Sequence, residues 1–179
     1  MRGSAPSIEI TSEEVLAAAP QPERSPEQEG TPPPRLASSG GTRNEALRST
    51  LKKIALLVRS GKTTEAYAGY AELFDSAPFA DYRPDDQRQA LRLMVLSKSP
   101  PAEKSEAVLA AHRAAVARLE ALVTALQDPL DYEMLGVAQI VLGDEAAAES
   151  ALRTGLDIER EKNPSSDLCG TLMRRLSAL

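Results

Sequence analysis

The sequence predicts an all-α fold built of paired helices, and three observations carry that prediction. Beyond residue 42, apolar residues recur at three- and four-residue spacing, the period of a helix with one buried face. Aromatic residues are scarce, with four Tyr, two Phe and no Trp, so Ala, Leu and Val must do the packing; closely approaching helices suit that composition better than a sheet sandwich. Gly61 and Gly143 end two of the periodic stretches, and Pro78 and Pro100 end two others, as helix stops should.

At 179 residues and 42% apolar content, the chain can bury one core once a tail is set aside. The tail is expected at residues 1–42, which hold seven of the thirteen prolines and four of the ten glycines and cannot bury enough surface to offset the entropy of ordering. Within this disordered arm, Ile8, Ile10, Val15 and Leu16 are the main cluster of large apolar side chains. Thr11 or Ser12 would cap a short helix with an acidic first turn, stopped by Pro20. Residues 8–19 therefore read as a linear motif that folds onto a groove, or, more simply, as residual hydrophobicity in a tail. Residues 21–41 form a linker with a reach of roughly 25 Å, enough to return the motif to the chain's own surface.

The folded domain is expected over residues 43–179. Thr42 caps a helix to about Ser60 with Leu47, Leu51, Ile54, Ala55, Leu57 and Val58 as its stripe, and Gly61 ends it. A second helix, from about Thr63, carries Ala66, Tyr70, Leu73 and Phe74 and closes at Pro78. Pro84, Asp85 and Asp86 open a third hairpin, whose helices are expected at about 86–98 and 102–127 with a break at Ser99-Pro100-Pro101. From Pro129 to Glu161 two short helices meet at a turn on Gly143 and Asp144, with small residues spaced where two backbones would approach closely. After Pro164, Ser165 or Ser166 caps a last helix presenting Leu168, Leu172, Met173, Leu176 and Leu179.

The 129–161 hairpin resembles a tetratricopeptide repeat. Tyr132 stands where that family often has Trp, Leu135-Gly136 stands for its Leu-Gly, and Ala148 and Gly155 occupy its two small second-helix positions. Ala66 and Tyr70 sit at the same distances from Gly61 as Ala148 and Leu152 do from Gly143, which marks a second repeat with Lys53-Ile54 in place of Leu-Gly. Repeats starting near Leu47, Asp81 and Pro129 are about 34 and 48 residues apart against the family's 34, so the array is irregular in its middle. The resemblance implies a superhelix of hairpins with a C-terminal capping helix, its first helices lining a concave groove for a helical or extended peptide.

Composition narrows the function classes. A net charge of -5 without long single-sign blocks gives no electrostatic case for nucleic acid. Cys169 is the only cysteine, which excludes an intramolecular disulfide framework and suits a reducing compartment. No stretch approaches the roughly 20 apolar residues of a membrane span, and no secretory leader is evident, so a cytoplasmic protein is expected. Arg exceeds Lys and Ala is abundant, which fits a GC-rich bacterial genome.

Nothing points to a cofactor or to catalysis. Ser60-Gly61-Lys62-Thr63 ends like a phosphate-binding loop but lacks the preceding strand, and the motif's first glycine would fall at Leu56. His112, the only histidine, has Val108 and Val116 one turn away instead of a second ligand, and reads as a half-exposed surface or interface residue. Cys169 reads as a structural thiol, and Asp81, Asp85 and Asp86 as helix-start charges without the spacing of a calcium loop.

Mapped onto the repeat, the groove would be lined by Leu51, Ala55 and Val58 from the first hairpin and by Leu130, Val137, Ile140 and Val141 from the last, with Arg48 and Arg59 at one end. Some family members use Lys, Asn and Arg there to hold a carboxylate; Leu51, Ala55, Leu130 and Met134 cannot do so. The expectation is a non-enzymatic adaptor or scaffold that binds an apolar helix or extended peptide, from a partner or from its own N-terminal segment. The alternatives are a self-associating structural homodimer and a secretion-type chaperone.

Overall fold

The computed structural model describes residues 39–98 and 100–179, with side chains from Asn44 onward; the expected motif at 8–19 lies outside the described residues. Among the described residues the chain forms eight helices and no strand. In chain order these are α1 (Ser39–Arg59), α2 (Thr63–Asp75), α3 (Ala77–Ala80), α4 (Pro84–Val95), α5 (Glu106–Leu126), α6 (Pro129–Leu142), α7 (Glu145–Lys162) and α8 (Asp167–Leu176).

Two glycines turn the chain in the same way. Gly61 and Gly143 have φ of +73° and +84°, a conformation that an L side chain resists. At the first, Lys62 N–H donates to Leu57 O and Gly61 N–H to Val58 O; at the second, Asp144 N–H donates to Gln139 O and Gly143 N–H to Ile140 O. Both turns are therefore Schellman closures that satisfy the last carbonyls of α1 and α6. Each sends the next helix back along the one before, and α1 packs on α2 as α6 packs on α7.

At the α6–α7 crossing, a Cβ built on Gly136 would lie 2.5 Å from Leu152 Cγ, and one on Gly155 would lie 2.7 Å from Tyr132 Cβ. The two backbones thus approach at the small residues that the sequence spaces for it. At α1–α2 the bulk is exchanged: Ile54 comes from the first helix, and a Cβ on Gly69 of the second would sit 3.1 Å from Ile54 Cγ1.

The middle of the chain departs from the expected hairpin. The Leu96–Ser105 connection, with Pro100 and Pro101, joins α4 to α5, and α5 packs mainly on α2 and α6, while Ala90, Leu91, Met94 and Val95 of α4 join the same core. A long proline-containing connection lacks the tight turn that would fold one helix onto the other. Ser105 Oγ caps α5 by accepting from Val108 N–H, so this helix starts later than expected. Thr42 lies inside α1 and is not its cap, and Pro78 falls in the separate turn α3 instead of ending α2.

Most of the core is one cluster running from Leu47 and Ile54 through Leu91 and Leu119 to Leu135. Five of the six aromatic residues form a ladder through it, from Tyr67 and Tyr70 to Phe74, Phe79 and Tyr82, each ring within 6.1 Å of the next. Arg118 on α5 closes the C-terminal end of α2 by donating to Phe74 O at 2.7 Å and Ser76 O at 3.3 Å. A smaller cluster of Leu152, Leu156, Cys169 and Leu172 joins α7 to α8, which Ser166 caps. Burying Leu152 and Leu172 contributes about 2 kcal/mol each. Met173 and Leu179, expected on the buried face, are exposed because α8 turns only its Leu168, Leu172 and Leu176 stripe inward.

Candidate partner-binding site

Crevices lie on either side of α4. One, about 660 Å³, opens between α4 and α6, with Leu93, Leu96, Leu130 and Met134 among its walls. A second of about 390 Å³ lies toward α1 and α2, where Ala55, Val58 and Arg59 meet Tyr67, Tyr70 and Leu93. A third, about 360 Å³, includes Met94, His112, Val137 and Val141.

The nine expected groove residues are divided among these places. Ala55, Val58 and Arg59 line the α1-side crevice, Leu130 the α4–α6 crevice, and Val137 and Val141 the third. Leu51 is half-buried against the main core. Ile140 packs against the α7–α8 cluster and so belongs to a different face. Arg48 sits in a shallow polar patch with Glu45, Ser49 and Lys52, apart from all three crevices. These residues are thus not gathered in one crevice.

Polar ties hold α4 and α8 to α6. Arg88 Nε donates to both Asp131 oxygens at 2.9 and 3.0 Å, its Nη2 reaches Asp131 at 2.8 Å, and it also pairs with Asp128 at 3.1 Å and Asp85 at 3.3 Å. Asp131 is fully buried, and that burial raises its carboxyl above the usual range more than Arg88 lowers it. Two residues further along α6, Glu133, also buried, accepts from Arg175 Nε and Nη2 at 2.9 and 2.8 Å. With Arg88 neutralised, the exposed cations of the α4–α6 crevice are Arg92 and Lys98, neither ion-paired to another described residue.

Sequence reasoning missed Leu93, although a signal was there. It stands off the buried α4 stripe of Ala90, Leu91, Met94 and Val95 and is 52% exposed, an apolar side chain that the core does not use. His112 is corrected outright, since it is 3% exposed and not half-exposed. Its Nδ1–H donates to Val108 O at 2.8 Å, its ring stacks on Tyr67 at 6.0 Å, and burial lowers its pKa below 6.5. Lys62, in the stretch that ends like a phosphate loop, pairs with Glu65 at 3.1 Å beside the α1 turn.

Among the described residues no helix is long and apolar enough to cross a membrane, and no group of three or more His, Cys, Asp or Glu side chains is placed to hold a metal ion. No protein-family model matches the chain, and no curated protein or solved structure matches it either.

Proposed function

We propose that this chain is a non-enzymatic adaptor of tetratricopeptide-repeat type, which holds an apolar helix or extended peptide of a partner protein in the crevice beside α4. The observation that carries this reading is the α4–α6 crevice itself: Leu93 and Leu130 are 52% and 42% exposed, on facing helices, above Leu96 and Met134. Paired large apolar side chains at the surface have no role in the core and are the usual anchor of a helix-in-groove contact. Arg92 and Lys98 beside them favour a segment with flanking Asp or Glu. The repeat-type reading is supported by the close α6–α7 crossing at Gly136 and Gly155. Cys169 as sole thiol supports a reducing, cytoplasmic setting.

The test is affinity capture with the full chain and with Leu93→Asp/Leu130→Asp, using Leu56→Asp as the control, since Leu56 is the most exposed of the large apolar residues described and lies outside the crevices. A protein retained by wild type and by the control but lost from the double variant supports the assignment; equal retention by all three contradicts it. Self-association is the second reading, supported by Leu56 and Val58 at 60% and 53% exposure on α1. Light scattering of the Leu56→Asp variant distinguishes it, because a dimer built on α1 would dissociate.

A further inference from the structure

The 360 Å³ cavity differs from its neighbours in its chemistry. Among the described residues its charged lining groups are Lys104 from the α4–α5 connection and Arg175 from α8, and no carboxylate lines it. Its remaining walls are largely apolar, with Met94 and Val95 from α4 and Val137 and Val141 from α6. His112 from α5 also lines it, and the geometry of that residue fixes its tautomer. A backbone carbonyl can only accept, so Nδ1 carries the proton given to Val108 O and Nε2 is left as the nitrogen with a free lone pair. Arg175 commits Nε and Nη2 to Glu133, and Lys104 has no ion pair with a described residue.

We propose that this cavity binds a small apolar monocarboxylate, its hydrocarbon against Met94, Val137 and Val141 and its carboxylate between Lys104 and His112. A volume of 360 Å³ lies within the range of small-molecule sites and holds a body on the order of ten non-hydrogen atoms. Lys104 supplies the charge that selects an acid over an alcohol. The carboxylate and the lone pair of His112 Nε2 repel unless one proton lies between them. Binding the anion therefore takes up one proton from solvent, held in an Nε2–H···O hydrogen bond.

The groups that face His112 permit this. Tyr67 from α2 is neutral, its hydroxyl pKa raised above 10.0 by burial; Lys104 and Arg175 are cations, the latter balanced by Glu133; and α4 and α6 present no titrating group to the cavity. In the free protein burial keeps the imidazole neutral near pH 7, and Lys104 acts in the same direction, so the proton arrives with the ligand.

His112 is the only histidine in the chain, so its ring C–H resonance reports the site alone. The experiment titrates the full chain with octanoate, 1-octanol and octylammonium, following that resonance by NMR between pH 5.5 and 8 and affinity by calorimetry. Octanoate should shift the resonance and raise the apparent pKa of His112. Its affinity should fall by up to about tenfold per pH unit as pH rises, the limit for one proton taken up. Lys104→Ala, at an exposed position, should weaken octanoate about tenfold and leave the alcohol unchanged. If the alcohol or the amine binds as tightly as the acid, if octanoate leaves the histidine resonance unmoved, or if its affinity is flat with pH, the proposal is wrong.

Discussion

Seven residues before their turn glycines, the α1–α2 and α6–α7 hairpins assign bulk in opposite ways. In α6–α7 the second helix supplies Leu152 and the first recedes at Gly136; in α1–α2 the first helix supplies Ile54 and the second recedes at Gly69. Both keep an alanine with no exposure, Ala66 and Ala148, five residues beyond the turn glycine. Ile54, at the position that corresponds to Gly136, is one half of a complementary pair. The crossing needs one large and one absent side chain, and which helix provides each is free to vary.

The middle pair has neither device. No tight glycine turn joins α4 to α5, and α4 is held by the ion pair of Arg88 with the buried Asp131 of α6 as well as by the packing of Leu91 and Met94 in the core. Replacing Arg88 with Met should therefore give the largest loss of stability, about 3 to 5 kcal/mol in urea unfolding, because an unpaired carboxylate is left buried. Adding Asp131→Leu to that variant should restore most of it, which separates loss of pairing from loss of packing.

The hairpin comparison is sharpened next at its two glycines. Gly136→Ala should destabilise by about 1 to 3 kcal/mol, since the new methyl meets Leu152 at its branch point. Gly69→Ala should change stability by less than about 1 kcal/mol, because the end of Ile54 can move aside and alanine favours the helix. Equal losses at the two positions would break the idea that the hairpins divide bulk differently.

The turns, by contrast, should respond alike. Gly61→Ala and Gly143→Ala each force a side chain into positive φ in open space, and each should lose about 1 to 2 kcal/mol. A marked difference between them would mean that one hairpin depends on its turn and the other on its interface.

The smallest effect concerns pH. His112 has a folded-state pKa below 6.5, so the unfolded chain binds the proton first and the folded state loses stability as pH falls through and below 6.5. The slope can reach no more than about 1.4 kcal/mol per pH unit. His112→Gln should flatten that part of the profile in urea unfolding at pH 5 to 7. Asp131, with its pKa raised, contributes in the opposite sense at lower pH.

What could be read from the sequence was local. The turn at Gly143, the close approach at Gly136 and Gly155, the cap at Ser166 and the stop at Gly61 each depend on residues within a few positions of one another. The placement of α4 did not, because it follows from Arg88 meeting Asp131 across 43 positions and from the failure of a proline-bearing connection to close a hairpin. The burial of His112 also depends on Tyr67, which a separate helix supplies.

The claim that α4 creates a docking crevice is tested most directly by photo-crosslinking in living cells, with a benzophenone side chain placed singly at Leu93, Leu130 and Leu56. The account predicts that positions 93 and 130 capture one common polypeptide and that position 56 does not. Capture of that polypeptide from position 56 alone, or only self-crosslinks from 93 and 130, would contradict it.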